Sequence, residues 1–101
     1  FGCSKKYEVI EENMDYTGDY IQNDVLLNYK ELKIVISNDD IGEEILYYNV
    51  DYLLKNEVSY KILYNDLEVY GKIEYFKDYG LYIRTPIVNN VKFVLNVYGG
   101  K

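Results

Sequence analysis

Residues 57–75 read Glu57-Val58-Ser59-Tyr60-Lys61-Ile62-Leu63-Tyr64-Asn65-Asp66-Leu67-Glu68-Val69-Tyr70-Gly71-Lys72-Ile73-Glu74-Tyr75. Val58, Tyr60, Ile62 and Tyr64 alternate with Ser59, Lys61 and Leu63, the two-residue period of a strand that turns one face to a core. The period breaks at Asn65-Asp66, a pair that tolerates the positive φ of a tight hairpin turn. It resumes at Leu67, Val69, Gly71, Ile73 and Tyr75. The stretch is therefore an antiparallel hairpin, and it sets the fold class. Gly71, in mid-strand, suggests a bulge or a bend.

The same signals continue on both sides. Downstream, Asp78-Tyr79-Gly80 closes a further hairpin, with Gly80 free to take positive φ. Leu81, Ile83 and Thr85 follow, and Pro86 ends that run. Asn89-Asn90 is a short turn before a last strand carrying Val91, Phe93, Leu95 and Val97. Upstream, Glu43 to Val50 is a strand and Asn38 to Gly42 a loop. In Glu31 to Ser37, Leu32, Ile34 and Ile36 face one way, and Lys33, Val35 and Ser37 the other. Residues 51–56 read as a connection or a single helical turn. Lys5 to Glu12 is a first strand, and residues 13–19 carry turn chemistry. Residues 19–32 conflict: Ile21, Val25, Tyr29 and Leu32 recur at helical spacing, and Asp19 with Gln22 could form a capping box. Asn23, Asn28 and the β-branched and aromatic residues oppose a helix. The reading is a strand near Asp24 to Tyr29, with a short helix as the alternative.

Short strands about 8 to 12 residues apart, joined by hairpin turns, imply an all-β protein, an antiparallel β-sandwich or small barrel of about seven or eight strands. No repeat or linker interrupts the chain of 101 residues, so one domain is expected over 7–98, with a tether at 1–6 and a flexible tail at 99–101. The expected core is Leu32, Ile34, Ile36, Val58, Tyr60, Ile62, Val69, Ile73, Ile83, Phe93 and Leu95.

Composition agrees with strands and narrows the chemistry. Ala is absent, while Tyr occurs 14 times among 49% hydrophobic residues. Tyr, Val and Ile suit the pleated, half-buried surface of a sheet. The net charge of -6 disfavours a nucleic-acid partner, since phosphate backbones select basic surfaces. With no His and one Cys, neither a Ser-His-Asp triad, a Cys-His pair nor a His-ligated zinc site can be built. Ser4, Ser37 and Ser59 therefore lack a His base. Asp15-x-Thr17-Gly18-Asp19 is only partly like a calcium loop and lacks EF-hand spacing. Solvated faces account for the carboxylate clusters, and no enzyme activity, metal or cofactor is expected.

The chain opens Phe1-Gly2-Cys3-Ser4-Lys5-Lys6. Gly2-Cys3-Ser4 followed by polar residues resembles the end of a bacterial lipoprotein signal. That resemblance, confined to about four residues, implies lipidation at Cys3, with Lys5 and Lys6 facing headgroups. It implies an extracytoplasmic, membrane-anchored location, periplasmic or at the cell surface. A free thiol or an intermolecular disulfide are the other readings of a lone Cys.

The tyrosines exceed what one small core can absorb. A rigid amphipathic ring gives contact area at low entropic cost, and carboxylates steer a basic partner. The expected binding surface is Tyr47, Tyr48, Tyr52, Tyr79 and Tyr82, with Asp39, Asp40, Glu43 and Glu44 at its rim. The function expected is recognition of another macromolecule, a protein or, through ring stacking, a carbohydrate. The alternatives are an immunity or inhibitor protein that neutralises a toxin or enzyme, and a subunit of a surface fibre joined by strand addition.

Overall fold

The computed structural model describes residues 6–14 and 20–101. Its strands are β1 (Tyr7–Met14), β2 (Glu31–Asn38), β3 (Gly42–Asn49), β4 (Val58–Tyr64), β5 (Leu67–Phe76), β6 (Gly80–Arg84) and β7 (Val94–Gly100). Two short helices, α1 (Asn23–Leu26) and α2 (Val50–Lys55), join them. One sheet has the order β1-β7-β2-β3 and the other β4-β5-β6, and every pairing is antiparallel. The architecture is an all-β sandwich of seven strands.

The hairpin of residues 57–75 forms as its alternation dictates. Val58 pairs with Ile73, Tyr60 with Gly71 and Ile62 with Val69. Asn65 and Asp66 both take positive φ, 49° and 66°, which is the type I′ geometry that follows strand twist. The register runs through Gly71 without a bulge. The glycine serves close approach instead: a Cβ there would overlap the ring of Tyr60.

Inner faces of both sheets meet in one cluster. It holds Leu32, Ile34, Ile36, Leu95 and Val97 from the larger sheet and Tyr60, Ile62, Ile73, Leu81 and Ile83 from the smaller. Of the expected core, Val58 and Val69 are only partly buried, and the rest are buried. The two helices add Leu26, Val50 and Leu53, and Ile21 enters from the segment before α1. Complete burial of four such side chains contributes about 1.5 to 3 kcal/mol each.

Three local expectations are corrected. Residues 24–29 form no strand; the alternative, a short helix, is what forms, over Asn23–Leu26. Leu27 N–H and Leu26 N–H donate to the carbonyls of Asn23 and Gln22, and Asn28 Nδ2 donates to Asp24 O, so the chain coils and drives Leu26 into the core. The last strand spans 94–100 rather than 91–97, while Val91 bridges only Val88 across the Asn89-Asn90 turn. Residues 99–100 are accordingly no tail. Gly99 pairs with Leu32, Gly100 with Glu31, and both are buried. Their lack of side chains admits Tyr29 over Gly99 on the inner face and Tyr7 over Gly100 on the outer face. The connection at 51–56 is the helix α2, capped by Asn49 Oδ1, which accepts from Asp51 N–H at 3.1 Å.

Candidate functional site

The fold distributes the nine candidate residues over five places. Across the outer face of the larger sheet, the pairings Val9–Tyr98, Tyr98–Lys33 and Lys33–Tyr47 line up one row. The next row is Asn96, Val35 and Ile45, and beyond it Val94, Ser37 and Glu43. Tyr7 joins this face over Gly100, its ring 6.0 Å from Tyr47 and its hydroxyl donating to Glu31 Oε1 at 3.2 Å. The Lys33 ammonium lies between two rings, 5.7 Å from the centroid of Tyr7 and 5.5 Å from that of Tyr98. Each contact is of cation–π type, holding the cation over the negative ring faces. Tyr47 is 59% exposed, Val9 53% and Ile45 43%, whereas Tyr7 and Tyr98 are half-buried and Val35, in the row between, is buried.

Tyr48 points the other way. It pairs with Leu32 on the inner face and packs half-buried against the core, away from the face that carries Tyr47. Burial, and secondarily Tyr52, push its hydroxyl above the usual tyrosine pKa. Tyr52 itself is exposed on α2. Glu44 shares the inner side of β3, but at the sheet margin, and stays exposed.

Asp39 and Asp40 occupy the β2–β3 turn at the opposite end of the strands from Tyr47. Asn38 Oδ1 accepts from the N–H groups of Asp40 and Ile41, both at 2.9 Å, and Gly42 takes φ 72° to close the turn. Asp40 Oδ2 accepts from the Tyr64 hydroxyl at 2.8 Å, tying this turn to the smaller sheet. That hydrogen bond is the largest cause of a raised Tyr64 pKa, because it stabilises the phenol over the phenolate.

Tyr82 lies on β6 of the smaller sheet and Tyr79 in the turn before it. With Phe76 they surround Tyr20, whose ring centroid lies 5.9 Å from Phe76, 5.5 Å from Tyr79 and 5.4 Å from Tyr82. A cavity of about 930 Å³ borders this cluster, with Asp24, Asp78 and Glu11 among its lining residues. The rest of that sheet's outer face is laced by ions. Lys61 pairs with Glu68 at 3.0 Å, and Lys72 with Glu74 and Glu57 at 3.2 and 3.4 Å.

The single surface expected from sequence is thus divided, and only Tyr47 and Glu43 fall on the outer face of the larger sheet. Sequence reasoning missed Tyr7, Val9, Lys33, Ile45 and Tyr98 there. The signal available was parity: Lys33 and Tyr47 sit on the non-core side of their alternating strands. Assigning Tyr98 needed the sheet order, which alternation does not supply.

Cys3 lies outside the described residues, as do Asp15, Thr17, Gly18 and Asp19. Among the described residues, no group of three or more Asp, Glu or Cys side chains is arranged to hold a metal, and no helix is long and apolar enough to cross a membrane. No protein-family model matches the chain, and neither a curated protein nor a solved structure matches it.

Proposed function

We propose that this chain is a recognition domain, held outside the cytoplasm by lipidation at Cys3, that grips another protein with the outer face of the β1-β7-β2-β3 sheet. One contrast carries the reading. On the outer face of the smaller sheet the exposed Leu63 and Tyr70 stand among ion pairs, whereas the larger sheet presents exposed Val9, Ile45 and Tyr47, with half-buried Tyr98, around one ring-held lysine. Rings and aliphatic side chains so exposed are what an interface desolvates at its centre. Carboxylates of Glu43, Asp39 and Asp40 stand at one end, where they favour a basic partner. Because β1 belongs to this sheet, a tether through residues 1–6 would hold the face close to the anchor.

Site-specific photo-crosslinking in the producing cell tests the reading. A photoreactive residue at position 47 or 98 is expected to trap a discrete protein adduct, while one at position 70, on the ion-paired face, traps none. Adducts with a second copy of the chain would favour the fibre alternative, and adducts with a toxin or enzyme that loses activity would favour the inhibitor. Absence of adducts at 47 and 98, with adducts at 70, overturns the proposal. Incorporation of a fatty-acid label that Cys3→Ser abolishes tests the anchor separately.

A further inference from the structure

Each sheet ends in strands whose outer backbone groups need management, and three of the four edges here are managed. The β1 edge is broken by register shifts between Val9 and Glu11 and between Glu11 and Met14, with Asn13 at φ 55°. Along β6, Ile21 and Leu81 exchange two backbone hydrogen bonds of 2.9 Å. On β4 the closing pair Tyr64–Leu67 directs the groups of Ser59, Lys61 and Leu63 outward, and a lysine in mid-edge discourages strand addition.

The β3 edge has none of these devices. Its eight residues pair with β2 in unbroken register and contain neither proline nor lysine. Val50 N–H donates to Lys30 O at 2.8 Å, which fixes the phase of the ladder. Alternation then gives the β2-directed bonds to Tyr48, Leu46 and Glu44, and turns the N–H and C=O of Glu43, Ile45 and Tyr47 away from the sheet. Among the described residues nothing outside the β2–β3 ladder bonds to those groups. The charge at this edge has one sign. Glu43 and Glu44 sit on successive, opposite faces of β3, next to Asp39 and Asp40 in the turn, and none of the four is in an ion pair within the described residues.

We infer that β3 is a docking edge for an extended, basic segment of a partner protein, which adds to the sheet as a strand beside β3. The inference rests on the recognition reading above and names the geometry of capture. Main-chain bonds to Glu43, Ile45 and Tyr47 hold the segment, and lysines or arginines at one end meet Glu43 and Glu44. Apolar side chains beside Ile45 and Tyr47 extend the outer face. The carboxylates make the edge selective, since an acidic or self-derived strand brings like charge against Glu43 and Glu44 while a basic one is drawn in.

The test uses the full chain and three synthetic octapeptides: alternating lysine and valine, alternating glutamate and valine, and the lysine peptide N-methylated at every other residue. Amide hydrogen exchange is followed residue by residue. The lysine peptide is expected to slow exchange at Glu43, Ile45 and Tyr47 at least tenfold, to bind at least tenfold more tightly than its N-methylated form, and to weaken as salt rises. The glutamate peptide should do none of this. Ile45→Pro, which deletes an outward N–H and no bond to β2, should weaken the lysine peptide without unfolding the chain. The N-methylated peptide keeps the test decisive if that variant misfolds. Equal binding of the methylated or acidic peptide, or no protection at those amides, overturns the inference. Protection of the same amides by dimerisation of the chain alone assigns the edge to a second copy and also overturns it. Crosslinking at positions 47 and 98 reads the wider proposal independently, so either can fail alone.

Discussion

Tyr60 shows how much one residue can carry in a small core. Its ring fills the space over Gly71 and its hydroxyl donates to Arg84 O at 2.7 Å. Burial, with Tyr48 nearby, raises its pKa well above the ordinary tyrosine range, and Arg84 only partly opposes this. A folded-state pKa above the unfolded value of about 10 means that the unfolded chain releases this proton first. The stability it contributes is complete below about pH 10 and is lost as pH rises through the folded value. Denaturant midpoints should therefore fall between about pH 9.5 and 11.5, with a shallower fall in Tyr60→Phe, measurable by urea titration at each pH. Thr85 is the converse case: it is fully buried, and Oγ1 has no hydrogen-bond partner among the described residues. Thr85→Val keeps the shape and deletes the unpaired hydroxyl, so it should raise stability by about 1 kcal/mol in the same titration. Tyr60 lies on the inward side of β4, and Thr85, just past the end of β6, continues the inward parity of Leu81 and Ile83, which alternation reveals. Nothing in the sequence reveals that Tyr60 needs Gly71 opposite it, because that pairing depends on register.

At the scale of elements, legibility follows the range of the forces. Hairpins closed by Asn65-Asp66 and by Asp78-Tyr79-Gly80 were readable because a turn's backbone conformation is decided by the residues in it. The strand over 31–38 was readable because its two faces meet different environments. In two segments tertiary contacts decide, and local pattern does not. At α1, side chains that look suited to a strand coil instead, with Leu26 buried in the core and Tyr29 over Gly99. At Gly99-Gly100, a pair that reads as a frayed end is a strand held on one face by Tyr29 and on the other by Tyr7. Gly99→Ala discriminates between the two readings. A tail would tolerate it silently, whereas a Cβ inserted against the Tyr29 ring should cost about 1 to 3 kcal/mol of overpacking. Thermal unfolding by circular dichroism checks this, with Gly2→Ala as the control. The candidate site suffered from the same limit: parity separates Tyr47 from Tyr48, but only the order β1-β7-β2-β3 puts Tyr98 and Val9 in the row with Tyr47.

At the scale of the whole molecule, the acidic turn and the rings of the larger sheet lie at different places along β3, and that separation makes a kinetic prediction. The net charge is -6, and along β3 the outer face runs from the Glu43 carboxylate to the Tyr47 ring, four residues or about 14 Å away. Long-range attraction to a basic partner comes from the charge, so it acts during encounter and is screened over a Debye length of about 10 Å at 0.1 M salt. Short-range desolvation of Tyr47, Ile45 and Tyr98 acts only after docking. Substitutions at the two ends should therefore divide between the two rate constants. Neutralising Glu43 and Glu44 to Gln should lower the association rate several-fold at 50 mM salt, and much less at 500 mM, leaving dissociation within about twofold. Tyr47→Ala should leave association nearly unchanged and speed dissociation about tenfold, equivalent to about 1.4 kcal/mol of lost contact. Surface plasmon resonance against the crosslinked partner, at both salt concentrations, separates the terms. Dissociation that responds to salt and not to Tyr47→Ala would place the grip in the acidic turn instead of on the rings. The chain would then hold its partner by ion pairs, and the exposed face of the larger sheet would lose its part in binding.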